Sequence, residues 1–307
     1  SRCCVGVCTM NLDRFPRIDL CHVPTPLEFM PRLTQHLGGP QIWIKRDDCT
    51  GMALGGNKAR KLEFLLGEAL QQGADHLVTL GALQSSHVRQ TAAAAARLGL
   101  ACTVILEHRH PNPDYAYLHN GNMLLDGLLG AEIVNCPGGT DMPAALRQVG
   151  DQLRAKGHWP YLIPRGGSNP LGTLGYVKAA QELLLQAQEK KFAPDHVVVA
   201  SGSAGTQAGL VVGLAAQAST ASVQGFAVSQ AEHLQHQRVA ALAAATARFI
   251  GHTDELPPQA VRVNADYLER ITKAHNKLTK NTNTPLIMTT WAGPTKPIIY
   301  TTTTEQG

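Results

Sequence analysis

The sequence is poor in charged and aromatic side chains and has no long hydrophobic run. Charged residues make up 16% of its 307 residues and aromatic residues 5%, whereas apolar residues reach 44%. A disordered chain has many charges and few apolar residues, so this composition favours a compact fold with an ample core. No window approaches the roughly 20 apolar residues of a membrane-spanning helix, so we expect a soluble protein without a membrane partner.

Concentrated charge of one sign is also missing. The net charge is +4, and no basic run alternates with aromatic residues, so we expect no nucleic-acid partner. The seven cysteines are odd in number and lack zinc-ligand spacing supported by histidines. We therefore expect no metal site and reduced thiols, as in a cytoplasmic protein. Residues 1–9 precede Met10 and are interpreted as a leader, a tag or translated upstream sequence.

A glycine-rich turn, Ser201–Thr206, follows the apolar run His196–Ala200. Small residues let successive backbone N–H groups face an anion, and a following helix favours negative charge at its start. The turn lacks the lysine of a nucleotide P-loop and does not match G-x-G-x-x-G, which argues against ATP and NAD. A phosphate group and an ordinary strand–helix turn both remain compatible with this pattern.

A second glycine-rich stretch, Gly55–Glu63, opens a helix with apolar residues at helical spacing. Lys58 falls in the first turn, where the partially positive helix end lowers the pKa of an ammonium group. A neutral, nucleophilic amine is what a Schiff-base lysine requires. Lys61 is the alternative lysine in the same helix, and a helix N-cap is the alternative role for Asn57.

Strands and helices alternate along most of the chain, which predicts parallel sheets covered on both faces and an α/β fold. Phe15–Leu37 is expected to be an extended arm, and Lys45–Asp48 a solvated strand end with local ion pairs. The helices are expected at Lys58–Gln72, Ser86–Leu98, Tyr115–Leu129, Met142–Lys156, Leu174–Glu189, Gly205–Ala216 and Glu232–Ile250. The strands are expected at Gln41–Lys45, His76–Gly81, Cys102–Glu107, Ala131–Asn135, Tyr161–Pro164, His196–Ala200 and Val223–Val228.

These motifs, together with Gln84–Ala93 and Gly166–Asn169, occur in the order of a known family. The chain resembles the fold-type II pyridoxal-phosphate enzymes (tryptophan synthase β-like), and within them the D-cysteine desulfhydrase, L-cysteate sulfo-lyase and 1-aminocyclopropane-1-carboxylate deaminase family. The resemblance runs from about Leu12 to about Tyr267. It implies two doubly wound parallel-sheet domains: a larger cofactor-binding domain from residues 1–57 and 165–307, and a smaller inserted domain at 58–164.

The resemblance also implies the site residues. Lys58 forms the Schiff base with pyridoxal 5'-phosphate, and Asn57 donates to the phenolic oxygen of the cofactor. Gly166–Asn169 is expected to line the cofactor cleft. The phosphate is held by the glycine-rich turn, at Gly202, Ser203, Ala204, Gly205 and Thr206.

The turn Gln84–His87 is expected to bind the substrate carboxylate. Ser85 matches the family serine and is a catalytic candidate as well. Ser86 stands where the family has Asn, which alters one donor. His87 matches the desulfhydrase and sulfo-lyase branch. From the residues alone, His87 is expected to be a capping or surface group without a general-base role.

The implied reaction is α,β-elimination by a C–S lyase. D-Cysteine gives pyruvate, ammonia and sulfide, and L-cysteate gives pyruvate, ammonia and sulfite. Opening of the 1-aminocyclopropane-1-carboxylate ring is the alternative reaction, and a small-molecule binder with an incidental lysine is an alternative outside the family. The family also implies a homodimer.

After Tyr267 the family pattern stops. Residues 272–307 contain eleven threonines and a single acidic residue, Glu305. The expected tyrosine segment and Thr-Gly-Gly strand are absent, which suggests a shifted reading frame, a splice variant or foreign sequence. We therefore expect a defective active site, in a chain that is slow or inactive toward D-cysteine and L-cysteate. A chain that binds the cofactor without turnover is the alternative.

Overall fold

The computed structural model describes residues 12–110, 112–252, 256, 258–266, 287–289 and 299–301. The predicted leader at residues 1–9 and nearly all of the tail after Tyr267 lie outside these residues. The predictions for both segments therefore stay predictions, as does the division into domains at residues 57/58 and 164/165.

The N-terminal part is more structured than the extended arm expected from the sequence. Strand β1 (Leu27–Phe29) pairs antiparallel with β2 (Trp43–Lys45), with Leu27 opposite Lys45, and helix α1 (Pro31–Leu37) lies between them. The prediction of an extended arm is wrong from Pro31 onward, where the chain is helical. Pro31 occupies the first helical position, where a missing N–H costs nothing, so this proline starts a helix.

A four-stranded parallel sheet, with the strand order β5-β4-β3-β6, follows. Its strands are β3 (His76–Ala82), β4 (Ala101–His108), β5 (Glu132–Pro137) and β6 (Pro160–Ile163). The accompanying helices are α2 (Lys58–Gln71), α3 (Ser86–Leu98), α4 (Tyr115–His119), α5 (Gly121–Leu128) and α6 (Met142–Ala155).

Side chains alternate between the two faces of the sheet along each strand, and the central strands β3 and β4 are buried on both faces. Val78, Leu80 and Ile105 pack with Met142 and Leu146 of α6 in one apolar cluster. The residues on the opposite face join the main core with α2 and α3, namely Leu77, Val104, Leu106 and Ile163. The sequence-based prediction of a parallel sheet with helices on both faces is confirmed here.

The helix predicted at Tyr115–Leu129 is two helices, α4 and α5. Asn120 has extended backbone angles (φ −128°, ψ −179°), and Gly121 has φ +59°. The side chain of Gln84 donates to the carbonyl oxygens of Tyr117 (2.6 Å) and Asn120 (3.0 Å). A contact from outside the helix therefore satisfies the carbonyls that a continuous helix would use itself.

Residues 165–264 contain a second parallel sheet, whose three strands lie in the order β7-β8-β9. Its strands are β7 (His196–Ser201), β8 (Ser222–Ala227) and β9 (Val261–Asn264), and its helices are α7 (Pro170–Glu189), α8 (Gly205–Ala216) and α9 (Glu232–Ile250). Helix α7 begins earlier than predicted, because Asn169 accepts a capping bond from the N–H of Gly172 (2.8 Å).

Two short strands fall within the tail. Strand β10 (Ile287–Thr289) pairs antiparallel with β11 (Ile299–Thr301). Within the ranges that the structure describes, no helix has the length and apolarity to cross a bilayer.

Candidate active site

The turn before Lys58 is shaped by glycine. Gly55 has φ +70°, and a side chain there would lie 1.9 Å from the carbonyl oxygen of Asp48. Thr50 exchanges two hydrogen bonds with the backbone of Gly56, at 2.8 and 2.9 Å. Only glycine fits this path, and it places Lys58 as the first residue of α2.

Asn57 ties the lysine to the glycine-rich turn. Its amide nitrogen donates to the hydroxyl of Thr206 (2.8 Å), and its oxygen accepts from Lys58 Nζ (2.9 Å). Asn57 occupies the N-cap position of α2, but its side chain makes no capping bond to the helix. The amide fixes the position of the Lys58 amine relative to the start of α8.

The loop after β6 completes the cleft. Gly166 and Gly167 have φ +65° and +60°. A side chain at Gly166 would lie 2.4 Å from Ser203 Oγ and 3.3 Å from Lys58 Cε. Ser168 donates to Ser203 Oγ (2.8 Å). The loop therefore lies against both the lysine and the glycine-rich turn, as expected for Gly166–Asn169.

Lys61 was the alternative lysine, and the structure gives it a different place. Its side chain is fully buried at 0% exposure, and Nζ lies 3.2 Å from both the Gly166 carbonyl oxygen and Ser168 Oγ. Lys58 and Lys61 are three residues apart and thus share a face of α2. That spacing was a signal in the sequence for a second cation at the site.

The pKa values of both lysines are depressed. Burial first, and the nearby charge of Arg89 second, lower the pKa of Lys58 to about 8. Burial, followed by the charge of Lys58, lowers the pKa of Lys61 well below its usual range. Lys58 is partly exposed whereas Lys61 is not, so Lys58 is the accessible amine of the two.

The glycine-rich turn fits a phosphate group. A side chain at Gly205 would lie 2.7 Å from Ser168 Oγ and 2.8 Å from Lys61 Nζ, so glycine keeps this cradle open. Gly205 begins α8, whose first N–H groups have no intrahelical acceptor. Ala204 has φ +73°, an uncommon angle for alanine. An anion placed there meets hydroxyl groups, backbone N–H groups and the Lys61 amine, and the negative charge of the anion would favour the protonated form of that amine.

The turn Gln84–His87 lies at the start of α3, directly after β3. Ser85 Oγ accepts from the N–H of Val88 (3.3 Å), so Ser85 is the N-cap and its O–H hydrogen can still donate. Ser86 and His87 are in the first helical turn, where backbone N–H groups lack intrahelical acceptors. This geometry suits a small carboxylate, as expected from the sequence.

The side chain of His87 differs from the expectation. Its ring is buried at 3% exposure, and Nε2 lies 2.9 Å from Thr79 Oγ1 of strand β3. Burial and the charges of Lys58 and Lys61 lower its pKa well below the usual range. The expectation of a capping or surface group is wrong, and only the backbone N–H of His87 remains suited to a substrate.

The prediction of a solvated strand end at Lys45–Asp48 is wrong for Asp47. Asp47 is 3% exposed and accepts two bonds of 2.9 Å from Arg60, which also donates to Glu182 at 2.9 and 3.0 Å. Tyr176 donates to Asp47 (2.6 Å), and Lys45 pairs with Glu182. We call Lys45, Asp47, Arg60, Tyr176 and Glu182 the paired cluster.

The paired cluster fixes helix α2 against helix α7. Burial alone would raise the pKa of Glu182, but hydrogen bonds from Arg60 and Lys45 lower it to about 2. The residues of the paired cluster are far apart in the sequence, so no local sequence pattern indicated that they are buried. Arg46 does form the expected local ion pair with Asp48 (2.9 Å).

Comparisons with known proteins agree with this geometry. The model of the family described as "Pyridoxal-phosphate dependent enzyme" matches residues 18–297. A D-cysteine desulfhydrase of Klebsiella pneumoniae subsp. pneumoniae is 51% identical over 240 residues, which cover 78% of this chain and 73% of that protein. A D-cysteine desulfhydrase of Serratia proteamaculans is 49% identical, covering 81% of this chain and 74% of its own length.

The solved structures show the same fold. The crystal structure of an ACC deaminase homologue superposes with a TM-score of 0.76 at 32% identity, covering 90% of this chain and 83% of that chain. The crystal structure of a T.th. threonine deaminase superposes with a TM-score of 0.52 at 25% identity, covering 66% of this chain and 59% of that chain. The fold-type II architecture predicted from the sequence is confirmed.

Proposed function

From the premise that this chain belongs to the family of pyridoxal-phosphate dependent enzymes, we propose that it is a C–S lyase acting on D-cysteine. The products are pyruvate, ammonia and hydrogen sulfide, with one water consumed. The observation that carries the proposal is the convergence of the accessible amine of Lys58, the buried amine of Lys61 and the glycine-rich turn at one cleft. Two relatives that are 51% and 49% identical over most of this chain are D-cysteine desulfhydrases.

The residues divide into three groups by the part of the ligands they contact. Lys61, Ser168 and the glycine-rich turn (Gly202, Ser203, Ala204, Gly205 and Thr206) hold the cofactor phosphate. Asn57 and Lys58 hold the cofactor ring, with Lys58 as the point of covalent attachment. Ser85 and the N–H groups of Ser86 and His87 hold the substrate carboxylate.

The chemistry assigned to the protein is proton transfer by Lys58. When bound, pyridoxal phosphate withdraws electrons from the α-carbon of the substrate. Because the pKa of Lys58 is lowered to about 8, a useful fraction of its amine is neutral near pH 7 and can accept the α-proton. Asn57 Oδ1 keeps that amine at a fixed position. Breaking the Cβ–S bond then releases the sulfur with its electron pair.

The test is a product assay on the cofactor-loaded protein with three separate substrates. We expect sulfide and pyruvate in equal amounts from D-cysteine. Sulfite release from L-cysteate in excess of sulfide release from D-cysteine would redirect the proposal to a sulfo-lyase. 2-Oxobutyrate from 1-aminocyclopropane-1-carboxylate as the main product would favour the deaminase, the second candidate, which the structural match to an ACC deaminase homologue supports.

A fourth outcome tests the prediction made for the tail. Retention of the cofactor at Lys58 without product from any of the three substrates would support a binding-only chain. A chimera carrying a family-type C-terminus in place of residues 268–307 is the matched control. Activity in the chimera alone would place the defect in the tail, and activity in the chain as it stands would contradict that prediction.

A further inference from the structure

Arg89 is a buried cation that the roles above do not use. It lies in α3 with 5% exposure, and its two terminal nitrogens have separate partners. Nη2 donates to the Gly55 carbonyl oxygen (2.8 Å), and Nη1 donates to Asn122 Oδ1 (2.9 Å). One guanidinium thus connects the turn before Lys58 to helix α5.

Its two partners are themselves parts of the cleft. The Gly55 backbone is confined by the close approach of the Asp48 carbonyl, so a bond to the Gly55 carbonyl fixes the start of α2. Asn122 is bonded to Gln84 twice, through its backbone N–H (2.9 Å) and its side chain (2.8 Å). Gln84 directly precedes Ser85, so the contacts run from the carboxylate turn to the lysine turn.

The neighbouring residue shows which part of this role is specific to Arg89. The neutral side chain of Gln90 accepts a hydrogen bond from the N–H of Ala59 (2.9 Å). It thus fixes the backbone on the C-terminal side of Lys58, without adding a charge. Arg89 supplies hydrogen bonds and a positive charge together. We propose that Arg89 is a positioning residue that fixes the Lys58 turn against α5 and keeps a positive charge beside the Lys58 amine. This inference rests on the proposed attachment of the cofactor to Lys58.

The electrostatics agree with the geometry. After burial, the charge of Arg89 is the cause that lowers the pKa of Lys58. The other ionisable groups around the amine are Lys61 on α2 and His87 on α3, and Asp126 of α5 faces Arg89 from the far side. None of these residues is substituted in the variants of Arg89. In Arg89→Gln, Asp126 loses the cation that lowers its pKa, so it is held more firmly in its neutral form. A rise in the pKa of Lys58 in that variant therefore reports on the charge at position 89.

The experiment measures how readily the cofactor-free protein takes up pyridoxal phosphate at different pH values. Borohydride reduction fixes the covalent adduct on Lys58, and intact mass gives its amount. We expect the pH midpoint of uptake to move upward in Arg89→Gln and to stay in place in Arg89→Lys. A rise of one unit in the pKa of Lys58 lowers uptake near pH 7 about tenfold.

Arg97→Gln is the matched control, since Arg97 lies on the same helix and its side chain, within the described part of the chain, has a single hydrogen bond, to the Leu20 carbonyl at 3.5 Å. Asn122→Ala gives a second readout, because it removes the partner of Nη1 and leaves the charge in place. We expect it to weaken cofactor retention with an unchanged midpoint. Circular dichroism checks that each variant is folded.

The possible outcomes distinguish a failure of the proposed function from a failure of the role of Arg89. Absence of any adduct on Lys58 in the unmutated protein would contradict the proposed function itself. A normal adduct with the same midpoint in Arg89→Gln, or an equal shift in Arg97→Gln, would overturn the role of Arg89 alone. Unchanged retention in Asn122→Ala would contradict the positioning by α5.

Discussion

Arg60 and Lys61 are neighbours in helix α2 and are buried to the same degree, at 3% and 0% exposure, yet their surroundings differ. Arg60 binds two carboxylates of the paired cluster, those of Asp47 and Glu182. Lys61 contacts a carbonyl and a hydroxyl, and no carboxylate among the described residues pairs with it. A buried charge costs several kcal/mol unless it is paired. The protein itself supplies the partner of Arg60, whereas Lys61 is suited to an anionic ligand.

The same contrast holds for two acidic residues. Hydrogen bonds outweigh burial at Glu182, and its pKa falls to about 2. Asp126 is fully buried, and within the described part of the chain neither of its carboxylate oxygens has a hydrogen-bond partner. Burial raises the pKa of Asp126 to about 7, although Arg89 acts to lower it. The paired cluster is thus a structural region in which carboxylates and cations neutralise one another, whereas Lys61 at the cleft and Asp126 beside Arg89 are buried without such a partner among the described residues.

The largest expected effect comes from breaking the paired cluster. Arg60→Met leaves Asp47 and Glu182 buried without their main partner, so we expect the cofactor-free protein to lose about 3–5 kcal/mol of unfolding free energy. Lys61→Met in the same helix removes a buried amine that pairs with no carboxylate among the described residues, and we expect little loss of unfolding free energy. Urea unfolding of both variants measures this. Equal losses would remove the distinction between the two regions.

The second prediction concerns Asp126 and pH. An aspartate in an unfolded chain titrates near about 3.9. The folded protein with a pKa of about 7 therefore holds a proton that the unfolded chain releases. The stability from this proton is complete below about pH 4 and is lost as the pH rises through about 7, by up to about 4 kcal/mol.

Asp126→Asn does not titrate, and the other groups cancel in the comparison with the unmutated protein. We expect the variant to gain about 2–3 kcal/mol relative to the unmutated protein between about pH 5 and pH 8. Asp151→Asn is the control, because Asp151 is an exposed partner of Arg154. A relative stability of Asp126→Asn that stays constant with pH would show that Asp126 is ionised throughout.

The third prediction moves to cofactor binding. Lys61→Met removes a charge-assisted hydrogen bond worth about 1.5–3 kcal/mol, so we expect pyridoxal phosphate to bind about 10- to 150-fold more weakly. Fluorescence titration of the cofactor-free variant gives the dissociation constant. Lys178→Met on α7, outside the cleft, is the control. Binding as tight as in the unmutated protein would show that Lys61 is not a phosphate ligand.

The smallest expected effect concerns the bond between Asn57 and Thr206. One neutral hydrogen bond is worth about 0.5–1.5 kcal/mol, so we expect Asn57→Ala and Thr206→Val to be coupled by about this free energy in cofactor binding. A double-mutant cycle with Thr206→Val isolates the coupling between the two side chains. Fully additive effects would mean that the 2.8 Å contact does not contribute to binding.

Local sequence patterns predicted the turns and most of the strands and helices. The lysine turn, the glycine-rich turn and the alternating strands and helices follow from glycines, caps and apolar periodicity, and the structure brings Asn57, Lys58 and Thr206 together. The separation of α4 from α5 was not predictable, because the contact that ends α4 comes from Gln84. The family resemblance supplied the role of Lys58, which its local sequence alone left open.

The sequence did not show which polar residues are buried. Asp47 and His87 looked like surface groups, because their partners Arg60, Tyr176 and Thr79 are brought to them by the fold. Arg89 gave no signal either, since its contacts to Gly55 and Asn122 each span more than thirty positions. Such residues are identified by packing, which no local pattern encodes.

The most direct test of the account is to locate the cofactor on the chain. The protein is loaded with pyridoxal 5'-phosphate, reduced with borohydride and digested, and the modified peptide is identified by mass spectrometry. We predict that the modification lies on Lys58, is abolished by Lys58→Ala and survives at Lys58 in Lys61→Ala. Modification of Lys61, or a protein that carries no cofactor after loading, would contradict the assignment of this cleft.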